Sequence, residues 1–195
     1  MSPVGSQPAD LAEDLRRYLQ QGRDALVRTL DGLSEYDVRR PLTPTGTNLL
    51  GLVKHLASVE LGYLVESLGR RAPILPWNED GSVWESADLW ATAEESREWL
   101  LDLYRQSWAL SDATSAELPL DAPASVAWWP AERRVTTLGH LLVRVVAETA
   151  QHAGHAEILR EGLDGQGSRD RDEMGDEPYW AAYVGRIQAA ADAHR

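Results

Sequence analysis

The chain has 195 residues, a net charge of −12 and no cysteine, which is long enough for one domain with a sizeable core. The acidic balance argues against nucleic acid and anionic membrane as partners, because both call for a basic patch. Without cysteine the chain forms neither disulfides nor thiolate metal sites, so any sulfur chemistry must use a thiol brought in by a cofactor or substrate.

Residues Met1–Asp10 show no basic start followed by an apolar run, and no apolar stretch is long enough to span a bilayer. A soluble, cytoplasmic protein is the expectation. From Pro8 to Leu33, Leu11, Leu15, Leu19, Leu26 and Leu30 recur at helical spacing and predict a first helix that stops at Gly32. Arg39 to Thr47 holds Pro41, Pro44 and Gly46 and reads as a loop. Thr47 or Asn48 then caps a second, strongly apolar helix that runs to about Leu68. Ile74 to Ser86, with Pro76, Asn78, Gly81 and two tryptophans, reads as an ordered loop. A capping-box pattern at Thr92-Ala93-Glu94-Glu95 predicts a third helix reaching about Leu110, with Trp99, Leu103 and Leu110 as its apolar stripe. Asp112 to Arg134 is a long connection with three prolines and the patch Val126-Ala127-Trp128-Trp129, which suits one short strand. Thr137 to Glu161 is a fourth helix, and Tyr179 to Ala193 a short final one. The expectation is an all-α, four-helix bundle with long loops and a short C-terminal helix. It forms a single domain over residues 1–195, with 1–8 a flexible terminus and 164–176 a mobile loop.

The fourth helix carries the chemistry. In Glu148-Thr149-Ala150-Gln151-His152-Ala153-Gly154-His155 a carboxylate and two imidazoles fall within roughly 60° of one another on one helical face, at about 100° per residue. A Glu-x-x-x-His pair is also an ordinary helical contact, and a buried histidine is often a core residue bonded to a neighbour. Three metal-capable groups on an inward face are nonetheless costly unless something coordinates or pairs them. His55, on the second helix, supplies a further imidazole. Facing helices of a bundle can give one ligand from one helix and an i, i+4 pair from another. His55, Glu148 and His152 then make three metal ligands with one position left open, as in a catalytic site.

The segments around Lys54-His55-Leu56 and Glu148-Thr-Ala-Gln-His152-Ala-Gly-His155-Ala-Glu-Ile-Leu-Arg160-Glu161 together resemble the DinB-like superfamily, and within it an actinobacterial branch related to mycothiol-dependent enzymes. The resemblance covers about Leu11 to Asp164. It implies a four-helix bundle holding a divalent metal through three side chains. The common pattern is a His on the second helix and His-x-x-x-His on the fourth. Here Glu148 takes the first fourth-helix position, as in the mycothiol-dependent maleylpyruvate isomerase branch, so the resemblance assigns His55, Glu148 and His152 as ligands. His155 is then a catalytic proton carrier or outer partner, or a ligand in place of Glu148. Many relatives carry a His one turn before the Glu, where this chain has Arg144. That arginine would hold Glu148 or an anionic substrate, or line the bundle edge. His140 is left outside the site.

The implied activity is thiol S-transfer or thiol-dependent isomerisation. Mycothiol or another low-molecular-weight thiol is the co-substrate and a small molecule the electrophile. Zinc is the first choice of metal, with nickel, iron or manganese compatible with the same donors. Arg144, Trp128 and Trp129 are the expected substrate-binding residues, with Trp77 and Trp84 as further wall residues or as loop anchors. A homodimer is compatible with such a bundle. The competing readings are a metal-dependent hydrolase using bound water and a non-catalytic protein that binds a small molecule or metal.

Overall fold

The structure, a computed structural model, describes residues 10–166 and 175–195. The expected flexible terminus at 1–8 and most of the expected loop at 164–176 lie outside the described residues. The chain divides into two compact units, Met1–Leu159 and Arg160–Arg195.

The all-α expectation holds. The helices are α1 (Leu11–Arg28), α2 (Glu35–Arg39), α3 (Leu49–Leu64), α4 (Pro76–Glu79), α5 (Arg97–Glu117), α6 (Leu138–Asp164) and α7 (Glu177–Asp192). The only sheet among the described residues is a small antiparallel hairpin of β1 (Pro123–Ser125) and β2 (Val135–Thr137), with Ala124 opposite Thr136. The four long helices of the first unit, α1, α3, α5 and the first part of α6, contribute the buried Leu19, Leu26, Leu56, Leu64, Leu100, Leu141 and Val145. Ala124 and Val126 of the hairpin pack into one core cluster with Leu19, Leu64, Leu141 and Val145.

Several boundaries differ from the sequence reading for identifiable reasons. Asn48 caps α3, its side chain accepting from the Gly51 N–H at 2.7 Å. That helix gives way to a 3₁₀ turn at Glu66–Leu68, ended by Gly69 in the left-handed region at φ 72°. α5 starts at Arg97, capped by Ser96 instead of Thr92. The Thr92 N–H does donate to the Glu95 carboxylate at 2.8 Å, but that carboxylate also takes the buried Lys54 ammonium, and residues 92–95 stay a turn. α5 then runs past Leu110 to Glu117, and stops where Leu118 must be extended to precede Pro119. Its buried stripe is Leu100, Leu103, Tyr104, Ser107 and Ser111, which keeps the predicted Leu103, while Trp99 is exposed and Leu110 half-buried. The short α2 falls between two predicted segments. Its signal is Ser34, whose hydroxyl caps the Asp37 N–H.

The second unit contains the end of α6 and α7. Arg160 pairs with Asp164 at 2.7 Å, Asp176 caps α7, and the rings of Tyr179, Trp180 and Tyr183 contact one another along that helix.

Candidate metal centre

The inner face of α6 is set by Leu138, Leu141, Leu142, Val145, Thr149, Ala153 and Ala156, all buried and spaced three or four apart, as one helical stripe requires. Glu148 and His152 sit on the flank of that stripe, and both are partly buried. His55 meets them from α3. The Nε2 atoms of His55 and His152 lie 3.6 and 3.3 Å from the same Glu148 oxygen, Oε1, and the ring centroids are 5.0 Å apart. One ligand atom from each residue lies within 4.8 Å of the others, the one such grouping among the described residues.

These distances suit a shared metal ion, and the shorter one, His152 to Glu148 at 3.3 Å, is also within hydrogen-bond reach. Donors about 2.0–2.1 Å from a tetrahedral ion stand about 3.4 Å apart, close to the two separations from Glu148 Oε1, while the three ligand atoms together lie within 4.8 Å. As hydrogen bonds, the same contacts are long. One carboxylate oxygen stands between two imidazoles, and His152 Nδ1 is buried with no hydrogen-bond partner among the described residues. Burial pulls the His152 pKa down, helped by the neighbouring imidazoles of His55 and His155 and opposed by Glu148. The ring is therefore held neutral, the form that ligates.

His55 has a second partner that lies far away in sequence. Its Nδ1 is 2.7 Å from Oδ2 of the buried Asp88. An ionised carboxylate only accepts, so Nδ1 carries the proton and Nε2 turns its lone pair toward Glu148 and His152. Asp88 lies on a 3₁₀ turn, Ala87–Leu89, that follows Ser86, the one non-glycine residue with positive φ (67°) among those described. The turn is clamped to α3 at regular intervals. Asn48 Nδ2 donates to the Leu89 carbonyl at 3.1 Å. A Cβ at Gly51 would collide with that same carbonyl, so only glycine allows the approach. Lys54, the only lysine, donates to the Trp90 carbonyl at 3.1 Å and lies over the Trp77 ring. Ser58 accepts from Trp77 Nε1 at 2.9 Å. Positions 48, 51, 54–55 and 58 thus form one face of α3 that fixes the loop presenting Asp88.

The tryptophans divide into anchors and wall. Trp77 is 2% exposed and serves as an anchor, whereas Trp84 is 77% exposed. Trp128 and Trp129, in the hairpin turn, both donate their Nε1 protons to the Tyr63 hydroxyl, at 3.3 and 3.2 Å. The Arg144 guanidinium lies over Tyr63 and Trp129, 4.9 and 5.6 Å from the ring centroids. Two clefts border this wall. One of about 590 Å³ is lined by Leu11, Leu15, Val143, Arg144 and Glu148. The other, of about 600 Å³, is lined by Trp129, Arg133, Val135, His140 and Arg144. The structure therefore brings His55, Glu148 and His152 together and places the exposed His155 beside His152, at 5.6 Å between centroids. Arg144 and Trp129 line one cleft together, and Trp128 lines neither cleft but contacts the Tyr63 ring at 5.2 Å between centroids. Asp88 and Tyr63 join the site without having been read from the sequence, and His140, read there and left outside the site, lines both clefts. Only Tyr63 and His140 had a positional signal, two turns from His55 and from Glu148 respectively.

The comparisons with known proteins agree with this architecture. A family model described as mycothiol-S-transferase matches residues 14–165. Among solved structures, the chain is similar to one described as a conserved protein from Enterococcus faecalis, with 17% identity and a TM-score of 0.60, over 81% of this chain and 99% of that one. At that identity the likeness shows the fold. No curated protein matches the sequence. Among the described residues no helix is long and apolar enough to cross a membrane.

Proposed function

The chain belongs to the mycothiol S-transferase family, within the DinB-like superfamily, and on that premise we propose that it is a divalent-metal-dependent enzyme transferring the sulfur of mycothiol to a small electrophile. Its setting would be detoxification or specialised metabolism in the cytoplasm. The observation that carries the reading is the donor set of two imidazoles and one carboxylate, with ligand spacings that suit a tetrahedral ion, in a chain of this family. We assign His55, Glu148 and His152 as ligands and zinc as the metal. A divalent cation held there supplies Lewis acidity that lowers the pKa of a thiol.

The remaining steps belong to the chain's own side chains. Asp88 holds the His55 proton on Nδ1 and so keeps Nε2 aimed inward. Burial lowers the His152 pKa and so favours its neutral ring, and a divalent cation with the single charge of Glu148 gives a ligand set of net positive charge, which favours a sulfur anion. His155, exposed beside His152, accepts the thiol proton on an imidazole nitrogen and passes it to solvent. The sulfur forms its bond to the electrophilic carbon, and the leaving group departs with the electron pair of the bond that breaks. Trp129 and Arg144 wall the space where the electrophile lies, with Tyr63 and Trp128 holding Trp129 and Arg144 from behind.

The test is turnover of 1-chloro-2,4-dinitrobenzene by the zinc-loaded protein with and without mycothiol. Thioether formation at least about 100-fold above the uncatalysed rate, and only with the thiol present, is expected. Equal consumption without thiol would replace this reading with hydrolysis by a bound water. A second expected result concerns Asp88. Asp88→Ala should weaken zinc binding about 10- to 100-fold, measured by chelator competition, with helical content unchanged. An unaltered affinity would remove Asp88 from the site.

A further inference from the structure

Arg144 is one of several described arginines, with Arg16, Arg134 and Arg186, that form no ion pair with a carboxylate. Arg17, Arg23, Arg39, Arg40, Arg70, Arg97 and Arg105 each pair with a carboxylate. Arg144 pairs with none among the described residues, although acidic residues outnumber basic ones 31 to 19. Its guanidinium is held by two rings instead, Tyr63 and Trp129. Those rings are fixed in turn, because the Tyr63 hydroxyl accepts from both tryptophan Nε1 groups. The planar cation is thus oriented in advance while its N–H edges keep their hydrogen-bonding capacity.

Its position gives that orientation a use. Arg144 and His140 line both clefts, so they stand where the two meet. The His140 ring leans on Trp129 at 6.0 Å between centroids, and Arg133 lines the outer cleft. Glu148 follows Arg144 by four residues on the same helix, about 6 Å along its axis.

We propose that this junction is an anion subsite, and that the electrophile accepted here is a small aromatic carboxylate. Its carboxylate takes the fork of Arg144 and its ring lies against Trp129. The carbon under attack then sits about one helical turn away, beside Glu148. The inference rests on the transferase reading for the choice of which reactant carries the anion: mycothiol has neither carboxylate nor phosphate, so the anion belongs to the electrophile.

The experiment is a tryptophan-fluorescence titration of the full-length protein with 3,5-dinitrobenzoate and with the uncharged 3,5-dinitrobenzamide. The benzoate should bind at least about ten-fold more tightly. Arg144→Gln should abolish that preference while benzamide affinity stays within about two-fold, and Arg144→Lys should retain part of it. Equal binding of the two probes by the parent protein, or a preference that survives in Arg144→Gln, would overturn the proposal. The probes are unreactive and the titration needs no turnover. A protein inactive with mycothiol would therefore sink the transferase reading and leave this result standing.

Discussion

Arg23→Ala is expected to destabilise the protein by about 3–5 kcal/mol, a fall in melting temperature on the order of 10 °C for a chain of this size. Arg23 and Glu60 are 1% and 0% exposed at their side chains and meet through two bonds, Nη2 to Oε2 at 2.6 Å and Nε to Oε1 at 2.9 Å. Asp112 takes the remaining Nη1 at 2.9 Å, and the guanidinium lies over the Trp108 ring. Burial opposes the charge on Arg23, but Glu60 and Asp112 more than restore it, and its pKa is raised. Burial pushes the Glu60 carboxyl upward against the pull of Arg23. Truncating the arginine leaves that carboxylate in the core without its partner, which costs far more than the pair contributes as a pair. The double variant Arg23→Met with Glu60→Leu should accordingly recover most of the loss. Urea unfolding of the three proteins measures this. A single-variant loss below about 1 kcal/mol would mean that water reaches Glu60.

The second large effect separates the ligands from the proton carrier. His55→Ala and His152→Ala should each strip the metal and lower mycothiol transfer at least about 1000-fold, with far-UV circular dichroism unchanged, because both side chains stand on the flank of the core and not within it. His155→Gln should keep the metal and lower turnover about 100-fold or more, in the range of a lost general base. Glu148→Gln should weaken metal binding more than His155→Gln does. The reverse order would place His155 among the ligands and Glu148 outside them.

Much of this architecture is legible in the residues, and the rest is hidden for physical reasons. Leu15, Leu19 and Leu26 mark α1 because a helix repeats its inner face every three to four residues, whereas Leu11 is exposed and Leu30 falls past the helix end. The Glu148, His152 and His155 spacing places those groups on one side of α6 by the same periodicity. That stripe also carries a warning that is readable in retrospect. Arg23 occupies the position between Leu19 and Leu26, and Glu60 the equivalent one between Leu56 and Leu64, so each is a charge set inside an apolar face. Periodicity says nothing about loops. Asp88 comes 33 residues after His55, on a turn whose place depends on Asn48, Gly51, Lys54 and Ser58 gripping it from α3. The convergence of Trp128, Trp129 and Arg144 on Tyr63 depends on the hairpin register, which no local pattern encodes. The start of α5 shows the opposite error. A good capping box at Thr92 loses to the attraction between Glu95 and a buried lysine.

The central claim is the metal at His55, Glu148 and His152, and elemental analysis of the protein purified without an affinity tag tests it most directly. About one equivalent of a divalent metal per chain in the parent, and little in His55→Ala, is the predicted result. No metal in the parent after reconstitution, or full occupancy in the His55→Ala variant, would contradict it.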